Sequence, residues 1–262
     1  MTSSSHSERL EPAIVFREVT KIFSDGKTNV QVLTNLNLLL PRERVLCVLG
    51  PSGCGKTTIL SLAAGFLAPT TGQVLVKGKP ITGPGADRAV VFQRDSVFPW
   101  LTVRQNLEYG PRRRGLRRAE WSERVENYLA KVGLTEFADH YPKQLSGGMR
   151  KRVDIARAYA NQPDVLLMDE PFGPLDVLTK EVMQKELQTL SWNERKSLLF
   201  ITHDIEEAVF LGDEVIVMTA RPAKIAAQIT IPFRRPRAVE LKLEPSFQAL
   251  RREIDGLLKG TA

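Results

Sequence analysis

Residues 50–58 read GPSGCGKTT, and this segment limits what the chain can fold into more than any other. Its glycines allow the backbone to turn tightly and to point successive N–H groups at an anion, where a Cβ would obstruct the approach. The preceding RVLCVLG at 44–50 predicts a buried strand, and a helix is expected from Thr57 to about Ala64. A strand, a glycine-rich loop and a helix N-terminus in this order are typical of a phosphate-binding loop.

The side chains of this phosphate loop indicate a nucleoside triphosphate, so ATP with Mg²⁺ is the first hypothesis. Lys56 supplies a charge for the β- and γ-phosphates, and Thr57 supplies a hydroxyl for Mg²⁺. The alternative, a glycine-rich loop without a nucleotide, is disfavoured by the strand that precedes it. We predict that the nucleotide is bound by the whole loop: Gly50, Pro51, Ser52, Gly53, Cys54, Gly55, Lys56, Thr57 and Thr58.

The composition is that of an ordinary globular protein, with 42% hydrophobic and 26% charged residues among 262. No stretch approaches the roughly 18 apolar residues of a membrane-spanning helix, and the polar start of the chain lacks the apolar core of a signal peptide. The sequence therefore predicts a cytoplasmic chain with a disordered tail at residues 1–12. Cys47 and Cys54 match no metal or redox spacing, so we expect two reduced thiols packed in a strand and a loop.

The net charge of +7 is concentrated in two runs, RRRGLRR at 112–118 and FRRPR at 233–237. Three interpretations remain open: a nucleic-acid patch, a face near anionic lipid or an acidic partner, and a basic face that is merely solvated. Neither run is interleaved with aromatic residues, which stacking on bases would favour.

The N-terminal part predicts a small antiparallel sheet with strands at 13–19, 30–33 and 36–40. A loop between the first two strands carries Phe23, a candidate for stacking on adenine that could equally fill the core. After a strand at 73–77, AVVFQ at 89–93 reads as a buried strand that ends on Gln93. Ligands bind at the carboxyl ends of strands in open α/β sheets, so the Gln93 amide is placed to meet Mg²⁺ or an attacking water.

A helical insertion follows from residue 94, with Thr102 as a helix N-cap and a helix at 119–132. LSGGM at 145–149 begins another helix with Ser146 near its N-cap, which gives the chain a second helix N-terminus suited to an anion. Apolar strands follow at 164–170 and 198–204, the latter ending near His203, and final strands are predicted at 214–219 and 224–231.

The order of these segments resembles the ATP-binding cassette family. The matching motifs are the phosphate loop, VFQ at 91–93, LSGGM at 145–149, DVLLMDEP at 164–171, LD at 175–176 and ITHD at 201–204. The resemblance covers about residues 14–220, and LSGGM is its most discriminating motif. It implies an α/β fold with a RecA-like phosphate-loop core, an N-terminal antiparallel β subdomain and an inserted α-helical subdomain.

The implied division places the disordered tail at 1–12, the core with its antiparallel β subdomain at 13–93 and the helical subdomain with the signature motif at 94–162. The second part of the core spans 163–231, and a basic, partly helical C-terminal tail spans 232–262.

The resemblance also implies residue roles and a head-to-tail homodimer. Asp169 would hold Mg²⁺, and Glu170 would polarise the attacking water as general base. His203 would contact the γ-phosphate, and Asp176 would cross the dimer interface. The signature residues Ser146, Gly147 and Gly148 of one chain would close over ATP bound by the other chain's phosphate loop.

Within the family, the similarity is greatest to the importer branch that handles nitrate, sulfonates and taurine. Departures are Phe23 where tyrosine is common, Pro174 before Leu175–Asp176, and Arg42 at a usual turn glycine. The implied protein is an ATPase at the cytoplasmic face of the inner membrane that works with membrane-spanning permease subunits and an extracytoplasmic solute-binding protein. The alternative is a soluble cassette ATPase acting on nucleic acid or ribosomes; such relatives usually carry two cassettes or a long coiled coil, so no nucleic acid is expected.

One further expectation concerns the segment 93–107, which leaves the nucleotide site and leads to Phe98, Pro99 and Trp100. A segment joined at one end to Gln93 can turn the nucleotide state into a moving surface for a partner helix. The competing interpretation is that Phe98 and Trp100 only pack the core of the helical insertion.

Overall fold

A computed structural model describes residues 11–261, so most of the predicted N-terminal tail lies outside the described residues. The strands are β1 (Ile14–Ser24), β2 (Asn29–Leu40), β3 (Val45–Leu49), β4 (Thr71–Val76), β5 (Lys79–Pro80), β6 (Arg88–Val91), β7 (Val165–Asp169), β8 (Ser197–Ile201), β9 (Glu214–Met218) and β10 (Ile225–Thr230). The α-helices are α1 (Lys56–Ala64), α2 (Val103–Arg113), α3 (Arg118–Lys131), α4 (Gly147–Ala160), α5 (Val177–Asn193), α6 (Ile205–Leu211) and α7 (Pro245–Lys259). Short 3₁₀ turns occur at Thr135–Phe137, Pro142–Gln144 and Val239–Leu243.

The central sheet has six strands in the order β10-β9-β3-β8-β7-β6. All its neighbouring pairs are parallel except β9 and β10. The carboxyl ends of β3, β6, β7, β8 and β9 therefore meet at one edge, which is where open α/β sheets bind ligands. This arrangement confirms the predicted α/β fold.

Alternate residues of the central strands fill two hydrophobic cores. On β3, Cys47 belongs to the core that includes residues of helices α2 to α7, whereas its neighbour Val48 belongs to the core that includes residues of α1 and the antiparallel sheet. Both faces of the sheet are covered, which explains why its strands are almost continuously apolar. Cys47 and the loop residue Cys54 are both buried and unbonded, as expected.

The second sheet is antiparallel, in the order β2-β1-β4-β5. The prediction of separate strands at 30–33 and 36–40 was wrong, because β2 runs continuously from Asn29 to Leu40. Asn35 takes a left-handed φ of 44°, which bends the strand without ending it. The loop assigned to Phe23 was also wrong, since Phe23 lies on β1 opposite Val30.

The helical insertion forms as its caps predict. Thr102 and Gln105 make a reciprocal capping box at the start of α2, and the Ser146 hydroxyl accepts a hydrogen bond from Met149 N at the start of α4. Trp121, Val125 and other apolar residues of α3 join the same core as α4. None of the helices in residues 11–261 has the length and apolar character needed to cross a membrane.

The C-terminal segment packs against the central sheet, with Phe247 and Ile254 fully buried. The basic run at 233–237 is partly buried as well, which contradicts its interpretation as a surface patch. Arg235 pairs with Asp213 at 2.8 Å, and the Arg237 guanidinium donates to backbone carbonyls, including that of Phe210 at 2.7 Å. These arginines stabilise the C-terminal segment and do not form a basic surface.

Candidate active site

A cleft of about 740 Å³ lies at the carboxyl edge of the central sheet. It is formed by the phosphate loop after β3, by residues that follow β6, β7, β8 and β9, and by one corner of the antiparallel sheet. Its lining residues are Phe23, Val30, Val32, Ser52, Gly53, Gly55, Lys56, Thr57, Thr58, Gln93, Glu170, His203 and Arg221. The structure therefore brings together residues predicted from five separate segments of the sequence: Phe23, the phosphate loop, Gln93, Glu170 and His203.

The phosphate loop has the backbone that its glycines predict. Gly53 and Gly55 have φ values of 73° and 121°, and a Cβ on Gly55 would come within 2.7 Å of Val32 Cγ1. The buried Lys56 ammonium donates to the carbonyls of Gly50 at 2.8 Å and Pro51 at 3.1 Å. Helix α1 begins directly after this loop without a side-chain cap, so its first N–H groups are available to an anion.

Asp169, at the end of β7, lies beside Thr57 and is hydrogen-bonded to it. Burial raises the pKa of the Asp169 carboxyl, the hydrogen bond from Thr57 opposes this shift, and the neighbouring Glu170 carboxylate adds to it. A hydroxyl and a carboxylate side by side next to a phosphate loop fit Mg²⁺, which usually takes one or two protein ligands together with phosphate oxygens. These residues would hold the ion.

Glu170 lies where two other predicted site residues converge. Its Oε2 accepts a hydrogen bond from Gln93 Nε2 at 3.1 Å and lies 3.1 Å from His203 Nδ1. Its backbone has a left-handed φ of 44°, and its N–H donates to the Ile201 carbonyl at 2.9 Å. This conformation ends the extended backbone of β7 at Glu170, which lines the cleft. Strained backbone of this kind is typical of functional residues.

Phe23 lines the cleft although it lies on β1 and not in a loop. Its ring is 40% exposed, and Lys21 Nζ lies 5.0 Å from its centroid. An exposed ring face at the rim of a phosphate-binding cleft is suited to an adenine base.

The signature segment, residues 145–149, and Asp176 are not among the residues that line the cleft of their own chain. Asp176 caps α5 by accepting a hydrogen bond from Thr179 N at 3.1 Å. The Thr179 hydroxyl and then this backbone contact lower the pKa of the Asp176 carboxyl. Gly148 packs so closely on Thr179 that a Cβ would approach its Cγ2 to 2.5 Å. The second anion-receptive helix N-terminus is therefore next to α5 and separate from the first.

Helix α4 also contacts the chain around and after Gln93, between Phe92 and Phe98. The buried Lys151 ammonium donates to the carbonyls of Phe92 at 2.9 Å and Gln93 at 3.3 Å. Further along, the Arg157 guanidinium lies 5.0 Å from the ring centroid of Phe98. The segment is thus held along its length by the helix that begins at the signature.

The apolar residues of this segment, Phe98, Pro99 and Trp100, are only partly packed. Phe98 contacts Tyr109 with ring centroids 4.5 Å apart and Trp100 at 5.5 Å. The buried Asn106 fixes the Phe98 backbone through hydrogen bonds in both directions, at 2.8 and 3.2 Å. Trp100 remains 68% exposed. Phe98 is therefore a half-buried support for an aromatic surface.

Arg221 is a cleft residue that sequence reasoning missed. It follows β9 by three positions and donates from Nε to the Gly53 carbonyl of the phosphate loop. An arginine after an apolar strand was the only signal in the sequence. Its position depends on β9 lying beside β3, which the sequence does not reveal.

Comparison with known proteins gives matches over most of the chain. The family model described as "ABC transporter" matches residues 33–173. The chain is 44% identical to the nitrate import ATP-binding protein NrtD of Synechocystis sp., covering 93% of this chain and 94% of that protein. It is also 44% identical to the taurine import ATP-binding protein TauB of Jannaschia sp., covering 88% and 87%.

Solved structures show the same similarity. A dimeric ATP-binding cassette in a post-hydrolysis state with ADP and phosphate matches with a TM-score of 0.73 and 29% identity, covering 84% of this chain and all of that chain. The protein cbiO1 of Clostridium perfringens, part of an ABC transporter complex, matches with a TM-score of 0.77 and 26% identity, covering 94% and 95%.

Proposed function

We propose that this chain, which belongs to the ABC transporter family, is the ATP-hydrolysing subunit of an importer for a small solute. The observation that carries the proposal is the convergence of Lys56, Gln93, Glu170 and His203 on one cleft. The relatives named for nitrate and taurine import support a small anion of the nitrate, sulfonate or taurine kind as the solute.

In the proposed reaction, the chain mainly positions groups and stabilises charge. Lys56 and the phosphate-loop N–H groups bind the phosphates of ATP, and Phe23 packs on the adenine. Thr57, Asp169 and the Gln93 amide would hold Mg²⁺, which would neutralise charge on the phosphates.

In this proposal, Glu170 takes a proton from the attacking water. Its Oε2 is already the shared contact of Gln93 and His203, so these two side chains keep the carboxylate oriented. In this proposal, His203 and Gln93 contact the γ-phosphate and orient the attacking water.

A second copy of the chain completes the site in this proposal. The signature residues Ser146, Gly147 and Gly148 lie away from the cleft of their own chain, as does Asp176. A head-to-tail dimer would bring the capped N-terminus of α4 to the nucleotide of its partner. The dimeric cassette with ADP and phosphate supports a dimer.

The permease subunits are proposed to dock on the segment 93–107. Trp100 is exposed beside the half-buried Phe98, and the segment is joined to Gln93 at the nucleotide. We propose in addition a location at the cytoplasmic face of the inner membrane and a partner that binds the solute outside the cell.

The nucleic-acid alternative is not favoured. Arg235 and Arg237 are buried, so the second basic run supplies little surface charge for a polyanion. In the first run, Arg112 pairs with Glu108 at 3.5 Å, and Arg117 with Glu120 at 3.0 Å. Both contacts reduce the positive field that nucleic-acid binding requires.

The test is transport by the assembled complex. The chain is co-expressed with permease and solute-binding subunits encoded by adjacent genes, and uptake of labelled nitrate, taurine and an alkanesulfonate into vesicles is measured with and without ATP. ATP-dependent uptake of one of these anions that stops in a Glu170→Gln complex supports the proposal. An assembled complex that hydrolyses ATP but accumulates none of them contradicts the proposed solute class, and purified chain that hydrolyses no ATP contradicts the whole proposal.

A further inference from the structure

Arg221 lies at the tip of a tightly held hairpin between β9 and β10. Within the hairpin, Thr219 N donates to the Lys224 carbonyl at 2.9 Å, and Lys224 N donates to the Thr219 hydroxyl at 3.0 Å. Ala223 exchanges backbone hydrogen bonds with β2, donating to Val32 at 2.9 Å and accepting from Thr34 at 3.2 Å. A hairpin fixed by this many bonds holds its tip in one position.

The tip faces the phosphate loop because β9 pairs in parallel with β3, placing Val217 opposite Leu49. Strands β3 and β9 end at the same edge of the sheet; β3 continues into the phosphate loop and β9 into the hairpin. Arg221 Nε donates to the Gly53 carbonyl, and a Cβ on Gly53 would lie 3.2 Å from Arg221 Nη2. The guanidinium therefore contacts the backbone that must present its N–H groups to an anion.

The charge of Arg221 is available to a ligand. Among residues 11–261, no carboxylate forms a salt bridge with it, and its side chain is exposed at the cleft. Lys56 and Arg221 are the one lysine and the one arginine among the residues that line the cleft, and Lys56 is held by the carbonyls of Gly50 and Pro51. Guanidinium groups bind phosphate oxygens through several donors at once, which makes Arg221 suited to the same ligand.

We propose that Arg221 is a nucleotide-binding residue that positions the Gly53 peptide and adds a second positive charge for the phosphate chain of ATP. This inference rests on the assignment of the cleft to ATP. The hydrogen bond from Nε fixes the phosphate loop in the conformation with φ of 73° at Gly53, while the remaining donors and the charge act on the phosphates. The effect is on binding, because within residues 11–261 Arg221 forms no hydrogen bond or ion pair with Gln93, Glu170 or His203.

The test separates the charge from the hydrogen bond. Arg221→Gln retains donors for the Gly53 carbonyl but loses the charge, Arg221→Lys retains the charge, and Arg221→Ala loses both. Lys224→Ala removes one exposed charge from the same hairpin outside the cleft and serves as the matched control. Steady-state ATPase activity of the full chain and calorimetric binding of Mg·ADP are measured between 50 and 300 mM salt, with melting temperature as a check on folding; these salt limits follow the ~10 Å screening length near 0.1 M.

We expect Arg221→Gln to raise KM for ATP by about fivefold to tenfold, with kcat within about twofold, since a partly exposed charge-assisted contact is lost. Its Mg·ADP affinity should depend less on salt than that of the parent. Arg221→Lys should lie closer to the parent, and Lys224→Ala should match it.

Two results would overturn the inference. One is an Arg221→Gln variant that matches the parent in KM and salt dependence while Arg221→Ala does not, because the hydrogen bond alone would then explain the contact. The other is a KM for ATP that is unchanged in both Arg221→Gln and Arg221→Ala while the parent protein is normally active. A parent without ATPase activity would instead contradict the proposed function.

Discussion

The ammonium group of Lys180 on α5 lies 2.6 Å from Asp204 Oδ2 and 2.8 Å from Glu207 Oε1 on α6. Glu207 is also bonded to the Thr202 hydroxyl, which in turn accepts a hydrogen bond from Asp204 N at 3.0 Å. Thr202 and Asp204 are the two neighbours of His203, so this network fixes the backbone on both sides of that side chain. The network therefore links the backbone around His203 to α5, the helix that Asp176 caps.

We expect Lys180→Met to lower kcat of the ATPase about tenfold with little change in KM, because His203 would lose its fixed backbone while the phosphate loop is untouched. Stability should fall by about 2 kcal/mol, since the buried Glu207 carboxylate loses its cation. Urea unfolding and steady-state kinetics measure both effects. Lys185→Met, on the exposed side of the same helix, is the control and should change neither.

The pH dependence of this stability difference follows from the two pKa shifts. Burial opposes ionisation of Asp204, but the hydrogen bond and charge of Lys180 outweigh it and lower the pKa of the carboxyl below 3.8. Burial also opposes the charge of Lys180, yet its bonds to Asp204 and Glu207 raise the pKa of the ammonium above 10.5. The first contribution is lost as pH falls through the lowered value and the second as pH rises through the raised one. The difference between parent and Lys180→Met should therefore be constant from about pH 5 to 9 and shrink below about pH 4; a difference that grows as the pH falls would contradict the network.

Glu170→Gln should reduce ATP turnover by about a hundredfold or more while ATP remains bound, because only the proton acceptor is removed. With ATP and Mg²⁺, the variant should elute as a dimer in size-exclusion chromatography. The exposed Glu253→Gln on α7 is the control and should behave as the parent. A Glu170→Gln protein that stays monomeric and hydrolyses ATP at the parent rate would show that the role given to Glu170 is wrong.

The local structure around this cleft follows from short stretches of sequence, and this has a physical cause. Glycines that permit positive φ, N-cap residues and apolar strands act over a few residues, so the phosphate loop, the capped α4 and the strand ending at Asp169 could be predicted locally. The parallel sheet then brings strand ends to one edge, which is why Gln93, Glu170 and His203 meet although they are far apart in the chain.

The wrong or missing predictions concern residues whose burial or position depends on contacts with residues distant in sequence. Arg235 and Arg237 read as surface charges because nothing nearby in the sequence shows that Asp213 and the carbonyl of Phe210 receive them. The position of Arg221 depends on the neighbour of β3 in the sheet, and strand order is not encoded in any local pattern. Asn35 could pass for a strand end because a left-handed residue within a strand is uncommon.

Gly55→Ala tests the close packing of the phosphate loop. The new Cβ would collide with Val32 Cγ1 at 2.7 Å in addition to the strain of a φ of 121°, so we expect ATP affinity to fall by more than about tenfold as the loop N–H groups move. Gly115→Ala is a matched control, because Gly115 has a φ of 70° and open space around its Cβ position. It should lose about 1 kcal/mol of stability and keep ATP affinity. Equal ATP affinities in the two variants, measured by calorimetry, would rule out a role for the Val32 contact.

Phe98→Ala combined with Trp100→Ala tests the proposed link to the permease. The pair lies within the segment 93–107, which begins at Gln93 and is held by Lys151 and Arg157 of the helix that starts at the signature. A movement of α4 on dimer closure would therefore reach the aromatic surface through direct contacts. We expect the double variant to bind ATP as the parent does but to lose the dependence of ATPase activity on solute in the assembled transporter, because exposed aromatic anchors carry much of the binding energy of such surfaces.

Trp192→Ala removes an aromatic side chain that is 50% exposed on α5 and distant in sequence from this segment, and it should leave uptake unchanged. Circular dichroism and melting temperature establish that each variant is folded before it is combined with the membrane subunits. The alternative, in which Phe98 and Trp100 only pack the helical subdomain, predicts lower stability with normal coupling, since Phe98 contacts Tyr109 and Arg157 within the same chain. A folded double variant that assembles with the membrane subunits and transports solute at the parent rate would contradict the docking proposal and favour that packing role.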